Sequence, residues 1–85
     1  MIRIEDYMLA KANGNIQQFR DDEVSRRIRL RYSIGAEQRI AFNMLKDPYN
    51  AEFIKELDEH EMYVSECKVA VDTEIVALEI ELSKN

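Results

Sequence analysis

Residues 48–82 read PYNAEFIKELDEHEMYVSECKVAVDTEIVALEIEL, and their reading decides the fold. After Pro48 the stretch contains neither glycine nor proline, so nothing in it interrupts a helix. Leu57, Val64, Val71 and Leu78 recur at every seventh residue, and Phe53, His60 and Cys67 fill the second seam position between them. Ile54, Ile75 and Leu82 extend the stripe as it drifts around the helix. This is the spacing of a helix with one apolar edge. A helix from 48 to about 82 is roughly 50 Å long at 1.5 Å per residue. The segments before it look too short to cover such a rod. Part of its seam is therefore expected to meet a second copy of the chain, along Leu57, Val64, Val71 and Leu78. Val69, Val76 and Ile80 lie off that seam and add exposed apolar area.

Working back from Pro48, Lys46-Asp47-Pro48 closes one helix and opens the next, with Asp47 as the cap and Pro48 at the first helical position. The helix before it starts after Ser33, a good N-cap. Ile34, Gln38, Ala41, Met44 and Leu45 mark one face of it, and Ile40 and Phe42 widen that face. Residues 16–32 are ambiguous. Ile16, Phe19, Val24 and Ile28 suit a helix, whereas Ile28, Leu30, Tyr32 and Ile34 alternate with polar residues as in a half-buried strand. The only other alternating run is residues 78–82, so a small sheet pairing 28–34 with 78–82 is the alternative to helix. Nearer the start, Ile4 and Met8 share helical spacing, Glu5 and Asp6 suit a helix N-terminus, and Asn13-Gly14 ends that helix. Asn15 is placed to cap the next one.

Composition agrees with helix. Of 85 residues, 46% are hydrophobic and 34% charged, with two glycines and one proline. A chain of this length makes one domain, residues 1–85, and buries only about 60–65% of its unfolded surface, so self-association is a natural source of stability. Cys67 is the only cysteine, which rules out an intrachain disulfide. A lone thiol and no leader-like apolar run lead to the expectation of a reducing cytoplasm. No segment approaches the roughly 20 apolar residues of a membrane span.

The net charge of −5 is uneven. Residues 1–46 carry nine Lys/Arg against six Asp/Glu, whereas residues 47–85 carry three Lys against eleven Asp/Glu. Arg26, Arg27, Arg29 and Arg31 form a basic run beside Tyr32. Such a run can grip phosphates and stack a base. The alternative, which the acidic second half favours, is pairing with carboxylates of the same chain or of an acidic partner.

Catalytic and metal signatures are sparse. His60 is the only histidine, and Glu56, four residues earlier, shares its face, but two ligands do not make a zinc site. Cys67 lies about 10 Å further along the axis. Glycines spaced for a phosphate loop and the ligand pattern of a calcium loop are both missing. No catalytic residue, cofactor or metal is expected.

The stretch Ile28-Arg29-Leu30-Arg31-Tyr32-Ser33, the Asp47-Pro48 turn with Phe53, and Tyr63-Val64-Ser65-Glu66-Cys67-Lys68 together resemble a group of small phage and prophage helical proteins, over residues 26–72. The resemblance implies a bacteriophage-encoded helical protein that acts by binding. The resulting expectation is an all-α chain: two or three short helices within 1–46 packed on one long helix over 48–82, probing other molecules by contact rather than by chemistry. The expected partner is a second copy or another protein, with nucleic acid at Arg26 to Arg31 as the less favoured alternative.

Overall fold

The computed structural model describes residues 1–84, and the described residues form four helices and no strand. They are α1 (Ile4–Ala12), α2 (Ile16–Arg29), α3 (Ile34–Lys46) and α4 (Ala51–Ser83). The alternating residues 28–34 straddle the end of α2, the elbow after it and the first residue of α3, and residues 78–82 lie inside α4. The sheet alternative is thereby excluded. Of its four apolar residues, Ile28 is buried in α2 and Tyr32 folds inward from the elbow, whereas Leu30 and Ile34 are exposed.

Local chemistry explains most helix ends. Glu5 and Asp6 stand in the first turn of α1 and Lys11 in its last, each favourable to the helix dipole. Gly14 has φ +70°, and Asn15 N–H donates to the Ala10 carbonyl (2.8 Å) while Gly14 N–H donates to that of Lys11 (3.2 Å). This pair of bonds is a Schellman closure, which favours glycine at the left-handed position. Asn15 occupies the cap position of α2, but its side chain makes no capping bond; the turn is set by Gly14 instead. Ser33 Oγ accepts from Ala36 N–H at 3.0 Å and starts α3 as expected.

The start of α4 differs from the expected Asp47-Pro48. Asp47 is the C-cap of α3, and Pro48 and Tyr49 form a turn. Asn50 is the true N-cap: its Oδ1 accepts from Glu52 N–H (3.0 Å) and Phe53 N–H (3.2 Å). Two competent caps stood three residues apart. The later one wins because the intervening turn lets the chain reverse direction.

The 33 residues of α4 make a rod of about 50 Å, which sets the 54 × 19 × 17 Å dimensions. Helices α2 and α3 run back along it, end to end and antiparallel. Arg20 meets Asp72 (2.5 Å), the Tyr63 hydroxyl donates to the Arg27 carbonyl (3.0 Å), His60 Nε2 lies 2.6 Å from Glu37, and Arg39 pairs with Glu56 (3.4 Å). Helix α1 folds beside α2 at the same end as the α4 C-terminus, with Tyr7 edge-on to Phe19 at 5.9 Å and Lys11 bonded to Glu79 at 2.8 Å.

The molecule therefore has two unlike ends. At one, α1, α2 and the C-terminal half of α4 enclose Ile2, Tyr7, Val24, Ile28, Cys67 and Val71. At the other, α3 lies alone on the N-terminal half of α4, and Ile40, at 3% exposure, is the only α3 side chain fully buried.

Candidate interaction surface

The four residues expected to face a second chain sit mainly inside this one. Val71 is 0% exposed in the cluster with Tyr7, Val24, Ile28 and Cys67, and Val64 and Leu78 are half-buried against the same cluster. Leu57 is half-buried at the α3 end. The expectation that upstream helices are too short overlooked their arrangement. Laid end to end, α2 and α3 run almost the whole length of α4, in a single layer.

The four arginines are placed as follows. Arg26 and Arg27 both bind Glu23, at 2.6 and 3.0 Å, and Arg27 also reaches Glu74 on α4 at 2.5 Å. The Arg27 guanidinium is largely covered, and its Nη2 has no hydrogen-bond partner among the described residues. Arg29 pairs with Glu37 at 2.7 Å and donates to the Tyr32 carbonyl. Arg31 lies over the rings of Tyr32 and Tyr63, 5.4 and 5.0 Å from their centroids, a cation–π arrangement at the surface. Three of the four are thus tied to carboxylates.

The bonded carboxylates titrate accordingly. The Arg27 guanidinium holds Glu74 down to about 2, aided by the Ile2 N–H and opposed by burial. Arg26 and Arg27 lower Glu23, and Arg20 lowers Asp72. Hydrogen bonds from Lys11 and Tyr7 lower Glu79. Burial, with the bond to Glu79, pushes the Tyr7 hydroxyl up to about 12. At the elbow, His60 and then Arg29 lower Glu37, and the Tyr32 ring stands edge-on to the His60 ring at 4.8 Å. His60 is thus part of the brace between α3 and α4, and Cys67 is buried in the core. Among the described residues no three His, Cys, Asp or Glu side chains gather as a metal site. None of the described helices is long and apolar enough to cross a membrane.

The surface feature that the sequence reading missed is on α3. The face assigned there, Ile34, Gln38, Ala41, Met44 and Leu45, is mostly turned away from α4: Ile34 is 61% exposed and Leu45 84%. The side against α4 consists of Ala36, Glu37, Ile40, Asn43 and Met44, and Phe42 is 64% exposed. Helix α3 carries two apolar stripes, and only one can lie on a single neighbour. A signal was present, since Ile40 and Phe42 do not fit one stripe with Ile34 and Leu45.

Helix α4 also has an outer stripe, Met62, Val69, Val76 and Ile80, opposite its buried edge. Two hollows of about 300 and 320 Å³ lie along α4, one lined by His60, Glu61, Val64, Ser65 and Lys68, the other by Val69, Asp72, Thr73 and Val76. Each is walled by one helix alone, so both are surface grooves.

The elongated shape leaves a surplus of surface. The chain exposes 6211 Å² at 10.0 kDa, where a compact monomer of that mass exposes about 5200 Å². Its radius of gyration is 16.5 Å, against about 12 Å for a compact chain of this length. Fold and surface together define an elongated helical hairpin, one arm broken by an elbow, with a closed three-helix end and an open two-helix end. No family model, curated protein or solved structure matches the chain.

Proposed function

We propose that this is a non-enzymatic interaction or assembly protein, which works by burying its outer apolar surface against another protein. The observation that carries the reading is the open end, where Ile34, Phe42 and Leu45 project from a helix that already has its own neighbour. Large apolar side chains exposed together along one helix are the kind of surface that interaction sites use. The resemblance to small phage and prophage proteins points the same way, toward a binding role in a bacterial cytoplasm.

Nucleic-acid binding is the competing class. Against it stands the engagement of Arg26, Arg27 and Arg29 with carboxylates, which leaves Arg31 as the one member of the run without a carboxylate partner among the described residues. Titration with labelled single- and double-stranded DNA and RNA at several salt concentrations separates the two. The interaction reading expects no salt-dependent binding. Tight binding at low salt that weakens steeply with added salt, as multiple phosphate contacts require, would contradict it.

A further inference from the structure

We infer that the open end is an isologous interface: a second copy packs antiparallel on the outer stripe of α3, giving a four-helix bundle of α3 and α4 from each copy. The inference rests on the interaction reading above and names its partner.

The stripe is made by Ile34, Gln38, Ala41 and Leu45, which follow one another at intervals of four, three and four residues and so share one side of α3. It lies roughly 100–160° around the helix from Ile40, the residue seated on α4, at 100° per residue. In an antiparallel pair, residues displaced in the same rotational sense from the contact line fall on the same side. Ile54 and Leu57 of α4 are displaced in the same sense as Ala41 and Leu45, so they border the stripe. Arg39 and Glu56 are displaced in the opposite sense, and their ion pair closes the other side. The hairpin thus has one ion-paired flank and one on which Ile54 and Leu57 stand with Glu61 at its elbow end.

Self-complementarity selects the occupant. A two-fold axis near Gln38 and Ala41 sets Ile34 against Leu45 of the copy, and Leu45 against its Ile34. Ala41 at the axis has no bulk to hold the two backbones apart. Since a two-fold brings like residues together, a self-pairing face must be free of net charge, and this stripe contains no ionisable side chain. The outer stripe of α4 is itself uncharged, but its borders are acidic. Met62, Val69, Val76 and Ile80 are flanked by Asp58, Glu59, Glu66, Asp72 and Glu81 against few lysines, and pairing it with itself would set acid against acid.

The full chain can be tested by sedimentation equilibrium with Leu45→Glu and Val76→Glu beside the parent. Leu45 is so exposed that the substitution leaves a free monomer folded, which circular dichroism verifies. The parent is expected to sediment as a dimer. Leu45→Glu should weaken it by about a hundredfold or more, because the two-fold would bury a carboxylate against the copy's Ile34 at both ends of the interface, and Val76→Glu should leave it unchanged. A parent that stays monomeric overturns the proposal. So does a dimer that Val76→Glu dissolves and Leu45→Glu does not. A hydrophobic fluorescent dye separates this failure from that of the wider reading. A monomer whose dye binding is lost in Leu45→Glu still offers the face to a different protein, whereas a monomer that binds no dye offers it to none.

Discussion

The two ends of α4 use the same helix and the same heptad spacing to different effect. Around Cys67 and Val71 the chain supplies two further helices, and the apolar edge disappears into a core that includes Tyr7. Around Phe53 and Leu57 it supplies one, and the edge is only half covered. The difference lies in the chain path. After Gly14 the chain doubles back to lay α2 beside α1, but none of the other described helices lies beside α3 except α4. A heptad seam states that a helix has a face to bury; it does not state whose residues bury it. That depends on how many helices the rest of the chain can lay alongside.

The largest expected effect attacks the closed end. Val71→Asp places an unpaired carboxylate in the most buried position of the fold, at a cost above about 4 kcal/mol. This is comparable with the roughly 4–13 kcal/mol available to a chain of this length. The variant should lose cooperative thermal unfolding and most of its helical signal. If it remained folded and merely lost an oligomer, the seam would be facing a partner and the assignment of the two ends would be reversed.

Acid should narrow the difference between the ends. Glu23, Asp72, Glu74 and Glu79, all held low by cationic or hydroxyl partners, lie at the closed end, and Glu37 lies at the elbow. Glu74 has a folded pKa of about 2 against an ordinary 4.5. A carboxylate depressed in the folded state contributes fully above its unfolded pKa and loses that contribution as pH falls through the folded one. The closed end should therefore weaken between about pH 4.5 and 2. Residue-resolved NMR through that range is expected to show Ile2 and Tyr7 loosening before Ile40. Glu74→Gln should remove about 1–3 kcal/mol at neutral pH, because it leaves Arg27 with one carboxylate fewer in a largely covered site. Unchanged neutral stability in that variant would remove the ion pair from the account.

Much of this was readable from residues, and the exceptions have physical causes. The absence of breakers after Pro48 made α4 legible, and Ser33 and Gly14 announced their turns. The elbow was masked because a helix end followed by an inward-folding Tyr32 mimics strand alternation. The outward stripe of α3 was misassigned because both of its stripes are apolar, and only the antiparallel path along α4 decides which one is seated. The placing of the four seam residues depended on α2 and α3 lying end to end, which no local pattern encodes.

The start of α4 gives the smallest test. Asn50→Ala should cost about 1 kcal/mol, because two backbone N–H groups lose their acceptor, and Asp47→Ala only a few tenths. For a chain of this size, thermal melting should show about 4–8 °C for the first. The reverse order would return the cap to Asp47.

The unequal ends can be read most directly by native-state hydrogen exchange on Leu45→Glu, the variant designed to keep a second copy off α3. Amides of α2 and of α4 around Cys67 and Val71 should exchange only through global unfolding, while those of α3 exchange through a lower-energy local opening. Equal protection throughout, or an α3 that outlasts α2, would contradict the account.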